Sequence, residues 1–229
     1  MAQRDVVVRT DRGFDRLVNF TDATIAIAIT LLILPIMDGL SEKYAEDGVI
    51  TDVPKFLANE RSSFVVFFVT FLIMFWLWWI NHKTFEKFRQ YDFILVALSF
   101  IWIVSMVVLA FPVDLAYRSD SNLADALFNF ACVIPLTLTA VINLYGRARP
   151  HMLSDQTDVE VIRNQMLAFA KFLLFVSLVG GVATSLAILQ WGSWGFWGWL
   201  IVVPVVMVVA GRAIKGQPLG HRSVQTETN

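Results

Sequence analysis

Six apolar stretches follow one another along the chain, and polar segments separate them. A helix needs roughly 17–25 mostly apolar residues to cross a bilayer, so each stretch predicts one membrane-spanning helix. The predicted spans cover residues 16–37, 63–80, 93–113, 123–144, 166–189 and 194–210. Within the longest polar segment, a short helix is predicted from Val53 to Leu57 at the membrane surface. Asp52 or Pro54 is expected to begin it, because both residue types favour helix starts.

The composition agrees with this pattern. Hydrophobic residues make up 57% of the 229 positions and charged residues 16%, against about 25% charged residues in soluble domains. We therefore expect an all-α integral membrane protein in which residues 1–229 form a single transmembrane domain within the lipid bilayer. The one cysteine, Cys132, has no second cysteine in the chain with which to form a disulfide.

The distribution of basic residues predicts the orientation of the spans. Two groups of polar segments alternate along the chain. Thirteen Lys and Arg fall in the N-terminal tail, the C-terminal tail and the segments after the second and fourth spans, against four in the other three segments. Because basic residues accumulate on the cytoplasmic side, both termini are predicted to be cytoplasmic. An even number of spans is required for this, and six spans satisfy it.

The first span differs from the others because it carries polar side chains. Charged groups at membrane depth are costly and usually have a partner or a function. At about 100° per residue, one stripe of this helix holds Thr24, Ile27, Leu31 and Leu34, with Thr30 on its flank. Asp22 points in roughly the opposite direction. The helix therefore has an apolar and hydroxyl-bearing stripe on one side and, on the other, a polar face that must meet other helices.

Several kinds of chemistry are not indicated by the sequence. It contains no glycine-rich phosphate loop, metal-ligand spacing or nucleophile elbow, and its three histidines are scattered. We therefore expect no enzyme activity, no cofactor, no bound metal and no nucleic-acid partner. A Thr-Val-Gly-Tyr-Gly filter is also missing, which excludes a potassium channel of the common tetrameric type.

Two motifs nevertheless resemble a known channel family. The first span opens with Arg-x-x-x-Phe-Thr-Asp at residues 16–22, followed by Ala-Ile-Ala-Ile-Thr-Leu-Leu. This run resembles the Arg-x-x-x-Phe-Ser-Asp signature of the transmembrane-protein-175 potassium channel family. A Trp-Ile-Asn-His run at residues 79–82 resembles the family's Trp-x-x-His run after the second span. The residues that carry the resemblance, and that it implies form a structural network, are Arg16, Phe20, Thr21, Asp22, Trp79 and His82.

The resemblance implies a function as well as a layout. Prokaryotic members are cation leak channels of the cell membrane that favour potassium over sodium and assemble as homotetramers, with the first helix of each subunit lining the pore. Carried over by position, the constricting rings are Ile27, Leu31 and Leu34, and Thr30 lies near the constriction. The hydroxyls of Thr30 and Thr24 could replace water around a permeant potassium ion.

Each of these assignments has an alternative. The apolar stripe could be ordinary helix packing. Asp22 could sense ions or protons, or it could be a buried acid satisfied by His82, which is expected near the same membrane face. Arg16 could anchor the helix at the interface or join that pair. The whole protein could instead be a secondary transporter of a small solute or a non-conducting structural protein.

Overall fold

The computed structural model describes residues 11–34, 37, 52–119, 121–153 and 158–191. Within these ranges the secondary structure is helical, apart from one isolated bridge between Phe88 and Leu153. The α-helices are α1 (Asp11–Leu31), α2 (Val53–Asn59), α3 (Arg61–Phe85), α4 (Phe93–Val108), α5 (Ala110–Arg118), α6 (Asn122–Ala148), α7 (Val159–Val176) and α8 (Thr184–Trp191). A 3-10 turn at Pro150–Met152 precedes α7, and a π-helical segment at Ser177–Ala183 joins α7 to α8.

Four helical stretches of the described residues are long and apolar enough to cross a membrane. They run over Ser63–Phe85, Phe93–Leu115, Asn122–Ala148 and Val159–Gln190, and they coincide with the second to fifth predicted spans. The protein is therefore a multi-pass, all-helical membrane protein. The sixth predicted span, residues 194–210, lies outside the described residues.

The first predicted span corresponds to α1, which starts earlier than expected. Its described part is already helical at Asp11, before the predicted start at Arg16, and its charged residues keep it outside the set of four apolar stretches. Its regular part ends at Leu31, four residues before Pro35. Leu32 and Ile33 form a turn, and Leu34 and Met37 are helical again. A proline ring clashes with the carbonyl four residues before it in a helix, which gives a local reason for this end. That α1 crosses the bilayer stays a prediction.

The helix bounds differ from the predicted spans in two other ways. The third span is not one regular helix, because the path tightens at Leu109, whose amide donates to the Met106 oxygen. Pro112 explains this irregularity, since it removes the amide that would bond to the Val108 carbonyl. Helices α6 and α7 also extend beyond the predicted spans 123–144 and 166–189, since α6 continues to Ala148 and α7 begins at Val159. Apolar patterning marks the part of a helix inside the bilayer, whereas the backbone continues past it.

The short helix predicted after Asp52 is confirmed, and its place at the membrane surface stays a prediction. α2 covers Val53–Asn59, and the carboxylate of Asp52 accepts a hydrogen bond from the Lys55 amide at 3.0 Å. This is the usual N-cap arrangement, in which a side-chain oxygen satisfies an amide that has no partner inside the helix.

Helix α6 is central to the bundle, since α3, α4, α5, α7 and α8 all contact it. Its contact with the π-helical segment is close: a Cβ added at Gly181 would lie 2.2 Å from a methyl carbon of Val133. The Asn129 side chain also donates to the Gly181 carbonyl at 3.1 Å and to the Ser185 hydroxyl at 2.8 Å. Small residues in this segment therefore allow close helix contact.

Helix α1 packs on α3 and α4. One apolar core lies along the middle of the bundle and includes Ile25, Trp102 and Leu136. A second core lies at the end where α1 begins and α3 finishes, and it includes Phe14 and Phe85. Packing of α1 in these two cores determines which of its faces points into the subunit.

Candidate functional site

The two faces of α1 have very different exposure within the subunit. Ile25 and Leu32 are 1% and 2% exposed, whereas Ile27 is 61% exposed. The predicted pore residues Ile27, Thr30, Leu31 and Leu34 are all exposed, and we call them the outer stripe. Thr24 is half-buried at the edge of this stripe. The helical spacing therefore separates a face packed in the subunit from a face that contacts none of its described core.

The threonine hydroxyls along α1 are bonded within the helix. Thr24 donates to the Phe20 carbonyl and Thr30 donates to the Ile27 carbonyl, each at 2.8 Å. A hydroxyl has one donor and two acceptor positions. Because the donor is already used, what remains on each oxygen is its capacity to accept a hydrogen bond or to contact a cation.

On the other side of α1, Asp22 is held by two residues of α3. The Trp78 indole nitrogen donates to one carboxylate oxygen at 2.8 Å, and Nδ1 of His82 lies 3.4 Å from the other. We call Asp22, Trp78 and His82 the anchor cluster. The predicted pairing of Asp22 with His82 is confirmed as a contact. The histidine approach is an ion-pair distance rather than a hydrogen bond, so Trp78 provides the directional contact.

Trp79 extends this cluster towards the surface. Its ring is stacked on His82, with centroids 6.3 Å apart, and the Lys83 ammonium lies 4.8 Å from the centre of the same ring. Lys83 also binds Glu86 at 2.7 Å, and His82 Nε2 lies 3.8 Å from that carboxylate. His82 therefore lies between two acidic side chains, one on α1 and one beyond the end of α3.

The structure does not bring every predicted network residue into this cluster. Phe20 is 57% exposed on the outer face. Arg16 is also exposed, and none of the described residues forms an ion pair with it. Thr21 is buried, but its hydroxyl donates to the Leu17 carbonyl at 2.9 Å rather than to Asp22.

Sequence reasoning missed Trp78, although a signal for it exists. Residues four apart lie on the same helix face, so Trp78 and His82 point to the same neighbour. An acid that contacts His82, as Asp22 does, can therefore also accept a hydrogen bond from the Trp78 indole.

A second polar cluster closes the same end of the bundle. Asp92 caps α4 by accepting from the Leu95 amide at 2.9 Å, and it also accepts from the Tyr145 hydroxyl. A guanidinium nitrogen of Arg149 lies 3.5 Å from Asp92 Oδ2, the same oxygen that accepts from Tyr145. This carboxylate therefore ties the start of α4 to the end of α6, close to where the anchor cluster ties α1 to α3.

The electrostatics of this end include one desolvated cation. Burial lowers the pKa of Lys87 to about 8, although neighbouring Glu86 acts in the opposite direction. The Lys87 ammonium lies 5.2 Å from the centre of the Phe169 ring on α7. No group of three or more His, Cys, Asp or Glu that could hold a metal ion occurs in the described part of the chain.

Comparisons with known proteins agree with the motifs. A family model described as "Endosomal/lysosomal potassium channel TMEM175" matches residues 16–110. A curated protein of Danio rerio, "Endosomal/lysosomal proton channel TMEM175", is 28% identical over 151 residues, which are 66% of this chain. The match spans 28% of the length of that relative. No solved structure matches the chain.

Proposed function

Because this chain belongs to the TMEM175 family of channels, we propose that it conducts monovalent cations, potassium in preference to sodium. Four copies assemble around a central pore that the outer stripe of α1 lines. Ile27, Leu31 and Leu34 form stacked apolar rings there, and the Thr30 and Thr24 hydroxyls flank the constriction. No catalytic step and no cofactor are part of this function.

The observation that carries the proposal is the exposure of the outer stripe. Ile27, Leu31 and Leu34 are 61%, 47% and 49% exposed in the subunit, although Ile27 and Leu31 lie on a helix whose other face is packed and Leu34 follows the turn at its end. This face therefore meets something outside the subunit. In the proposed assembly it meets the same face of the other copies, across an axis along which ions pass.

The composition of that face favours a pore over lipid. The exposed side of α4, from Phe93 to Val108, carries only apolar side chains, as a lipid-facing surface does. The exposed side of α1 differs, since it also includes Asn19, Ala23 and Thr30. Small and hydroxyl-bearing residues suit close approach of helices and contact with ions better than contact with acyl chains.

Potassium suits this stripe better than a side-chain proton relay. Between Phe20 and Leu34 the outer face carries no titratable side chain, and relays of that kind use ionisable groups. Apolar rings pass a partly dehydrated ion when they are wide enough and stop it by dewetting when they are narrow. The acceptor oxygen of Thr30 beside such a ring offers the ion a replacement for lost water.

The test is single-channel recording of the purified protein in planar bilayers, with potassium on one side and sodium on the other. The expected result is discrete current steps whose reversal voltage indicates a higher permeability to potassium than to sodium. Saturable flux that needs a gradient and gives no steps would indicate a transporter. A protein that gives no flux at all would be a structural one.

Proton conduction is the second candidate, because the anchor cluster places two titratable groups, Asp22 and His82, in contact beside α1. The same recordings separate the two. If protons carry the current, the reversal voltage follows a pH difference across the bilayer and does not respond to exchange of potassium for sodium.

A further inference from the structure

A cleft of about 300 Å³ opens between the first turns of α1 and the end of α3. It lies beside the anchor cluster, and His82 contributes to its lining. Its volume is at the lower end of the range for small-molecule sites in proteins. The outer stripe is not part of its lining, so what it could bind is a question separate from conduction.

One wall of the cleft is aromatic. Phe14, Phe85 and Phe88 line it, and the ring centroids of neighbouring pairs are 6.1 Å and 6.0 Å apart. The three side chains are otherwise buried. The rings therefore form a fixed row that does not have to be ordered when a ligand arrives.

The other wall is acidic. Asp15 and Glu86 line it together with Asn19. Lys83 neutralises Glu86 through contacts of 2.7 Å and 2.9 Å. Asp15 is exposed, and no described cation lies within ion-pair distance of it. The net negative charge of the cleft therefore rests mainly on Asp15.

A carboxylate next to a row of aromatic rings matches one class of ligand. Ring faces attract ammonium groups, and sites for quaternary ammonium ligands are built from such rings. We propose that this cleft binds an organic ammonium ion, with Asp15 supplying the opposite charge and Phe14, Phe85 and Phe88 supplying the apolar and ring contacts.

Other ligand classes fit less well. A metal ion would need a set of ligating side chains that the described residues do not form. An anion would meet two carboxylates. A neutral apolar molecule would leave Asp15 without a counter-ion, whereas an ammonium ion with methyl groups satisfies both walls at once.

The cleft lies within one subunit, so ligand binding to it can be measured without recording a current. The probe is choline, whose methyl signals are followed by saturation-transfer NMR on the full chain purified in detergent. Its neutral carbon analogue, 3,3-dimethyl-1-butanol, has the same shape without the charge. We expect saturable binding of choline and no saturable binding of the analogue.

Asp15→Asn tests the acidic wall, and because Asp15 is exposed, the fold should tolerate it. The expected loss of choline affinity is about tenfold, as for removal of a charged partner. The matched control is Asp52→Asn, which removes the same charge elsewhere and keeps the α2 cap. Phe14→Leu keeps the apolar volume but removes one ring, and it should weaken choline binding.

Choline binding in nanodiscs of different lipid composition distinguishes a lipid headgroup from a free amine as the natural ligand. If a lipid headgroup occupies the cleft, choline binding weakens in phosphatidylcholine nanodiscs and persists in phosphatidylglycerol nanodiscs. If a free amine is the ligand, binding is equal in both. The proposal is overturned if the analogue binds as well as choline, if choline does not bind, or if Asp15→Asn behaves like Asp52→Asn.

Discussion

Ile25 and Ile27 are two residues apart on the same helix and have the same side chain, yet one is 1% exposed and the other 61%. The face of α1 that contains Ile25 is completed inside the subunit by α3 and α4 and by the anchor cluster. The face that contains Ile27 has no such completion. Helix α1 is therefore held by its subunit along one side and exposed along the other.

The largest difference between the two faces is expected when each isoleucine is replaced by alanine. Ile25→Ala should lower the free energy of unfolding by about 2–5 kcal/mol, because it leaves a cavity in the core. Ile27→Ala should leave it nearly unchanged, because its side chain is largely outside the subunit core. The measurement is denaturant unfolding of the purified protein in detergent. Equal losses for the two variants would contradict the assignment of the two faces.

The anchor cluster should give the next largest effect. Asp22→Ala removes the acceptor for Trp78 and the charge beside His82, and it should cost about 1–2 kcal/mol, since the site is only part-buried. Asp22→Asn keeps an acceptor oxygen and should cost less. Asp15→Ala, on the exposed side of the same helix, is the control.

Both Asp22 variants should lower the yield of assembled protein more than they change ion selectivity. A variant that assembles fully and has altered selectivity would show that Asp22 acts on the ion path instead of holding the helix.

The outer stripe can be tested by adding polarity at one exposed position. Ile27→Asn should raise single-channel conductance severalfold or lower selectivity, because a polar ring resists dewetting. Ile101→Asn is the matched control, since Ile101 is 51% exposed on the apolar side of α4. If the two variants carry the same current as the native protein, the stripe does not line the path.

A smaller effect is expected from the hydroxyl beside the stripe. Thr30→Val keeps the shape of the side chain and removes its oxygen, so it should shift the ratio of potassium to sodium permeability, measured from reversal voltages. Thr137→Val removes a similar hydroxyl, bonded to the Val133 carbonyl on α6, and should not shift the ratio. An unshifted ratio in Thr30→Val would limit Thr30 to packing.

The smallest expected effect is a pH dependence of stability that arises from Lys87, just beyond the end of α3. Lys87 has a pKa of about 8 in the folded protein, below its ordinary 10.5. The unfolded chain therefore binds more protons between these values, and stability should rise as pH increases from about 8 to 10.5. Lys87→Met should remove this rise, which pH-dependent thermal unfolding would measure. A rise of the same size in the variant would assign it to another group.

Much of this arrangement could be predicted from the sequence. The spacing of Ile27, Leu31 and Leu34 fixed their common face, and two polar residues expected at one membrane side, Asp22 and His82, are in contact. The full length of α6 could not be predicted from apolar patterning. The helix runs to Ala148, and its polar last turn carries no hydrophobic signal.

Other features that depend on packing between helices could not be predicted. The cleft beside His82 arises only when the first turns of α1 lie against the end of α3, and nothing in either segment alone indicates it. Likewise, the exposed Phe20 lies in the recognisable motif, yet its direction separates it from the anchor cluster. A motif shows which residues belong together in sequence, while the helix turn decides which of them meet.

Under the proposed function, the outer stripe faces a shared axis through which ions pass. The most direct test is to place a cysteine at Ile27 (Ile27→Cys) in a Cys132→Ala background and to apply a charged methanethiosulfonate reagent during recording. We expect the current to be blocked, and Phe175→Cys, at a position that is 63% exposed on α7, to be insensitive. An Ile27→Cys channel that conducts unchanged under the reagent would show that the outer stripe does not line the pore.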